Sequence, residues 1–126
     1  MVDEMSRQNR PYVFLTFRTA GDCRVLLLVN SGNRVAGKIV MEVISDAKIY
    51  VTLLEEEGIS ADDVKVSSLA LCKQGISSLP PSGEIELGFI ELRKPKLTPQ
   101  LLKYKIRYVD GSIRTYDECL SLEYYW

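Results

Sequence analysis

The 126-residue sequence contains carboxylates, thiols, amines, guanidinium groups and phenols, but no histidine. A histidine-based triad, an imidazole acid or base and a histidine metal ligand are therefore excluded. Paired carboxylates could hydrolyse a glycoside if held about 5–10 Å apart across a cleft. The candidates are Glu84, Glu86, Asp117 and Glu118. Glu84 and Glu86 alternate with apolar residues and read as solvated strand positions, whereas Glu118 intrudes on the apolar side of its own strand. Cys72 or Cys119 as a nucleophile would need a base, and no imidazole supplies one. Glu55 to Glu57 with Asp62 and Asp63 would need converging oxygens to hold a cation. Their spacing is not that of an EF-hand, and a solvated acidic loop is the plain reading. No glycine-rich loop leads into a helix to cradle a phosphate. No catalytic residue, metal or cofactor is expected, and the chain is not expected to be an enzyme.

The basic residues carry more information. Arg93, Lys94, Lys96, Lys103, Lys105, Arg107 and Arg114 are seven of the sixteen lysines and arginines, within 22 positions that hold one acid, Asp110. Lys103, Lys105 and Arg107 fall on one side of a strand because alternate residues point the same way. Arg114 on the returning strand could join them. Such a stripe suits an anionic partner: a phosphate backbone, an acidic protein surface or anionic headgroups. Solvated lysines that keep a sheet from aggregating are the plain alternative. Tyr104 and Tyr108 alternate onto the inward side, so no base-stacking aromatics lie among the lysines, which weakens a nucleic-acid reading. Tyr124, Tyr125 and Trp126 would either cover the end of the domain or serve as a dimer contact or ligand platform.

The elements that must position these groups are strands. Val13, Leu15 and Phe17 alternate with Tyr12, Phe14 and Thr16. Cys23 to Val29 is apolar throughout and reads as a central strand covered on both faces. Val35 to Ile44 sets Ile39, Met41 and Val43 against Lys38, Val40, Glu42 and Ile44; Ile49, Val51 and Leu53 make a shorter strand. Residues 59–75 fit neither period and read as a loop with a short strand or a turn of helix. Residues 75–83 read as a turn-rich connection, since its two prolines cannot donate to a ladder. Ile85, Leu87 and Phe89 point inward, opposite Glu84, Glu86 and Gly88. Leu102, Tyr104, Ile106 and Tyr108 lead to Asp110-Gly111, a hairpin signal before the return strand Ile113 to Tyr124. These segments make about seven strands, and two packed antiparallel sheets are the expected solution, with an OB-like or up-and-down barrel as the alternative.

With 46% hydrophobic and 26% charged residues and a net charge of −1, the composition is that of one globular domain, not of a chain binding nucleic acid by bulk charge. Residues 1–10 read as a polar, flexible leader and 11–126 as the domain. The leader lacks the apolar stretch of a signal peptide, and no apolar run is long enough for a membrane helix. Three widely spaced cysteines, an odd number, argue for reduced thiols in a cytoplasmic setting.

Three segments carry a resemblance to a known family. They are Arg10 to Phe17; Val25 to Val43 with its Asn-Ser-Gly turn and Ala36; and Gly75 to Glu86, with Tyr104 to Gly111 and Tyr116 further on. The pattern resembles bacterial immunoglobulin-like β-sandwich domains over about residues 10–124, with one departure: Ser82 lengthens the turn before Gly83. The resemblance implies an immunoglobulin-like antiparallel sandwich. Such domains are interaction or spacer modules, often beside a membrane anchor or inside a larger chain, and the resemblance supplies no catalytic residue. The expected role is a non-enzymatic module that engages another protein through a sheet edge or face, with a homodimer also compatible. The alternative is an anionic ligand held by Lys103, Lys105, Arg107 and Arg114.

Overall fold

A computed structural model describes residues 9–21, 23–44, 50–55, 58–91, 99–111 and 113–125. The seven strands expected from alternation are present: β1 (Val13–Ala20), β2 (Cys23–Asn30), β3 (Ala36–Val43), β4 (Tyr50–Glu55), β7 (Glu84–Glu91), β8 (Pro99–Asp110) and β9 (Arg114–Tyr125). Two more are β5 (Gly58–Lys65), in the stretch read as a loop with a short strand or a turn of helix, and β6 (Ile76–Leu79), in the stretch read as a turn-rich connection. Between them run a 3-10 turn at Val66–Ser68 and a single helical turn, α1 (Ala70–Lys73). One sheet has the order β1-β2-β7-β4-β5 and the other β6-β3-β8-β9; every pairing is antiparallel. The chain is thus an all-β antiparallel sandwich.

The two sheets meet through one apolar core. Val13, Leu15, Leu26 and Leu28 of the first sheet pack with Ile39, Met41, Leu102, Tyr104, Ile106 and Tyr108 of the second. Each buried aliphatic side chain contributes about 2 kcal/mol relative to leaving it exposed. Val66, Leu69 and Leu71 join this core from the 3-10 turn and α1. Their spacing of three and then two residues reflects the change from one helix type to the next, so neither simple period fits them.

Strand β2 is covered on both faces, as its apolar run requires: Leu26, Leu27 and Leu28 are all buried. Arg18 on β1 reaches across β2 to Glu84 (3.2 Å) and Glu86 (2.7 Å) on β7. One inward assignment on β7 is overturned. Leu26 pairs with Gly88 and Leu27 with Glu86, so Leu87 is an extra residue in the ladder. A bulge of this kind reverses the facing of the residues beyond it. Gly88 therefore lies opposite Leu26 on the core side, and Phe89 lies opposite Val25 on the outer side.

The turns are set by local chemistry. The β8–β9 hairpin forms at Asp110-Gly111, with three residues between its last paired positions. Asp110 pairs with Arg114, Ile113 N–H donates to the Asp110 carbonyl at 2.9 Å, and Gly111 has positive φ, at 54°. In the 80–83 turn Ser82 takes the left-handed conformation at 58°, and Gly83 N–H donates to the Pro80 carbonyl at 2.9 Å. Asn30, fully buried at the end of β2, ties the segments of this end together. Its Oδ1 accepts from Tyr12 N–H (3.1 Å) and Gly32 N–H (3.0 Å), and its Nδ2 donates to the carbonyls of Arg34 (2.8 Å) and Leu79 (3.0 Å). Gly32 is needed because a Cβ there would sit 2.0 Å from the Arg10 carbonyl oxygen.

Candidate functional site

The outer face of the second sheet carries the stripe expected from sequence. Strand alternation puts Lys103, Lys105 and Arg107 in solvent and Leu102, Tyr104, Ile106 and Tyr108 in the core. Cross-strand register then sets their neighbours. Arg107 lies between Val40 and Asp117, and Lys105 lies between Glu42 and Cys119. Lys103 lies opposite Ser121, with its carbonyl accepting from Ile44 N–H at 2.8 Å. The stripe is thus bordered by acids and by exposed apolar groups: Val40, Ile44 and Leu101 are 42–49% exposed. Arg107 donates to Asp117 at 2.8 Å, and that hydrogen bond and the carboxylate charge raise the guanidinium pKa further.

Arg114 does not join this face. It pairs with Asp110 on the core-facing parity, and its guanidinium sits 6.0 Å from the centre of the Tyr116 ring. The reason is parity: the hairpin register puts Thr115 and Asp117, not Arg114, beside the lysines. Tyr124 and Tyr125 belong to the backbone of β9 opposite Gln100 and Pro99. Their side chains, and Trp126, lie outside the described residues, as do Arg93, Lys94 and Lys96.

A cleft of about 660 Å³ opens beside the stripe. It is lined by residues 40–43 of β3, by Ser67 and Cys72, and by Lys105, Arg107 and Asp117. The Cys72 thiol donates to the Val66 carbonyl at 3.4 Å, and burial pushes its pKa up, away from a reactive thiolate. Cys119 is exposed, and neither of these two thiols is in a disulfide.

The cluster that sequence reasoning missed lies on the opposite, core-facing side of β8 and β9. Arg10 Nη2 donates to the Tyr108 hydroxyl (2.8 Å) and to Glu118 Oε1 (3.0 Å), and Tyr108 in turn donates to Glu118. The guanidinium lies between two tyrosine rings, 3.9 Å from the centre of Tyr12 and 3.8 Å from that of Tyr116. Burial alone would lower the Arg10 pKa, but Tyr108, Glu118 and Tyr12 together raise it. The Tyr108 phenol is pushed far above its ordinary range, first by burial and then by the Glu118 carboxylate it donates to. Glu118 on an apolar face was the available signal; its partner Arg10 was hidden because it ended the polar leader. Residues 1–8 lie outside the described residues.

The four candidate carboxylates do not converge. Glu84 and Glu86 stand on the outer face of the first sheet and are bridged by Arg18. Asp117 and Glu118 are neighbours in one strand and point to opposite faces, each bound to its own arginine. Among the described residues no group of three or more His, Cys, Asp or Glu side chains is arranged to hold a metal ion. The side chains of Asp62, Asp63 and Glu55 to Glu57 are outside the described residues. Among those described, no helix is long and apolar enough to cross a membrane.

Comparison with curated proteins gives no match, and neither does comparison with solved structures. Comparison with protein families does: residues 2–125, nearly the whole sandwich just described, match one family throughout. The chain belongs to the family described as Domain of unknown function (DUF8453).

Proposed function

We propose that this chain is a non-enzymatic interaction module on an immunoglobulin-like sandwich, engaging another protein through the outer face of β3, β8 and β9. The strand order supports the immunoglobulin-like part. Immunoglobulin domains have the orders A-B-E-D and C-F-G. Here β1-β2-β7-β4 and β3-β8-β9 run in the same sequence, with β5, the helical segment and β6 inserted before β7.

The observation that carries the proposed role is the mixed chemistry of the outer face. Val40, Ile44 and Leu101 stand exposed among Glu42, Lys103, Lys105, Arg107 and Asp117. Apolar groups ringed by charges of both signs suit a protein surface. A phosphate backbone would favour uninterrupted positive charge, and Asp117 already occupies Arg107. The test is capture by the immobilised chain, with Lys105→Glu and Arg107→Glu combined against a Glu84→Gln control on the other sheet. A polypeptide retained by native and control chains and lost by the double variant is the expected result. Capture indifferent to the double variant overturns the reading. Retention of nucleic acid that falls steeply with salt would favour the anionic partner instead.

A further inference from the structure

Strand β9 ends the second sheet, and among the described residues no strand pairs with its far side. The direction of its backbone follows from β8. The Lys103 carbonyl accepts from Ile44 N–H on β3, so by alternation the odd-numbered residues of β8 bond toward β3 and the even-numbered ones toward β9. The β8–β9 register pairs even with even, from Leu102↔Leu122 to Asp110↔Arg114, without a break. Thr115, Asp117, Cys119, Ser121 and Glu123 therefore direct their N–H and C=O groups away from the sheet, and all five residues are exposed. On the core side Tyr116, Leu120 and Leu122 are only partly buried, whereas Tyr108, Tyr104 and Leu102 opposite them on β8 are at most 1% exposed. Long sheet edges are normally guarded by lysine, proline, a bulge or an inward charge. Residues 114–125 hold no lysine and no proline, their register is unbroken, and the one inward charge, Glu118, is neutralised by Arg10.

We infer that this edge takes a second copy of the same chain, β9 against β9, antiparallel about a two-fold axis at Cys119. Two four-stranded sheets then join into one. The side chains single out that occupant and that register. With Cys119 on the axis, Asp117 meets the second copy's Ser121 and Glu123 meets its Thr115, so each outer-face carboxylate of the edge faces a hydroxyl. Asp117 already accepts from Arg107 but keeps lone pairs for a second donor. On the core side Tyr116 meets Leu122, an aromatic–aliphatic pair that covers two half-buried side chains. A slip of two residues one way sets Asp117 against Glu123, and a slip the other way sets Glu118 against Glu118. Like charges directly opposite disfavour both. Backbone hydrogen bonds from the five outward residues supply the affinity, as in other strand-addition complexes. The dimer does not depend on the interaction-module reading, because it uses the edge of β9 and leaves the outer face free.

The experiment uses the full chain in sedimentation equilibrium, with amide hydrogen exchange read residue by residue. The expected result is a mass that doubles with rising chain concentration, and slower exchange at Cys119 and Ser121 as it does. A short bismaleimide should link two native chains, and Cys119→Ser should abolish that link while keeping the dimer. Thr115→Asp sets carboxylate against carboxylate and should weaken dimerisation about tenfold, because each pair occurs twice. Thr115→Lys should strengthen it by a similar factor. Ser121→Pro removes an outward N–H that the β8 ladder does not use, so it should give a monomer with the denaturant midpoint of the dilute native chain. A native chain that stays monomeric at millimolar concentration overturns the dimer. A dimer that survives Ser121→Pro, or that is indifferent to both Thr115 variants, lies on another surface and also overturns it. A dimer without the Cys119 link overturns the axis. A monomer whose Cys119 and Ser121 amides are protected only with a captured polypeptide would make a foreign strand the occupant and overturn the second copy.

Discussion

Strand β1 and the far half of β3 both lack a strand neighbour on one side, and the protein closes the two edges differently. On β1 the outward N–H of Leu15 donates to the Tyr104 hydroxyl at 2.9 Å, and Val13 is hydrogen-bonded to the Tyr108 hydroxyl. These tyrosines stand four residues apart on β8, so one strand of the opposite sheet seals the edge of the other. On β3, by contrast, the segment leading into β6 covers the edge by packing: Gly75 lies against the Ile39 carbonyl and Val40, and Met41 is buried. The difference shows where tertiary packing spends polar groups: buried phenols close one edge by hydrogen bonding, while close backbone packing covers the other.

The sealed edge is the place to look for large effects. Asn30→Ala strips the start of β1 of its anchor and orphans two N–H groups and two carbonyls. The expected loss is about 4 kcal/mol, read as a lower denaturant midpoint. Next is Gly32→Ala, which drives a Cβ into the Arg10 carbonyl and Pro11 just ahead of β1. About 3 kcal/mol should be lost by the same measurement. A smaller effect, about 2 kcal/mol, is expected for Tyr108→Phe, which deprives Val13, Arg10 and Glu118 of a partner.

That third variant also has a pH signature. The folded-state pKa of Tyr108 lies above the unfolded value, chiefly because of burial, and Tyr104 is raised by burial too. The folded state therefore holds these protons more tightly than the unfolded one. Their stabilising contribution is complete below the ordinary tyrosine pKa of about 10 and declines as pH rises above it. Thermal melts from neutral to strongly alkaline pH should show this decline in the native chain and a shallower one in Tyr108→Phe. On the outer face of β3 and β8 the opposite outcome is expected. Val40→Thr and Arg107→Ala should leave the denaturation midpoint unchanged, because both side chains lie on the solvent face. A drop comparable to that of Tyr108→Phe would mean that this outer face, too, is structural.

Much of this sandwich was legible in residue order. Val13, Leu15, Ile39, Met41, Tyr104 and Tyr108 were readable as inward because each obeys the strand period, and all are buried. Lys103, Lys105 and Arg107 were readable as one solvent stripe for the same reason. Phe89 was misread because the extra residue at Leu87 leaves no mark on the local pattern and depends on how β7 meets β2. Arg114 was misplaced because its facing depends on the loop length of the hairpin, not on its nearness to the lysines. The short β6 was hidden by turn-forming residues, and the strand at 58–65 was readable only as one alternative within a loop, because its polar residues follow neither period.

The sequence by itself determined the strand class, most turn sites and the character of each face, because alternation and turn chemistry act between residues close in the chain. Only the tertiary structure decided that Arg10 meets Tyr108 and Glu118, that Asn30 ties two turns together, and that β6 ends before Met41. Those outcomes depend on register between segments as much as 108 residues apart, and no local rule carries register.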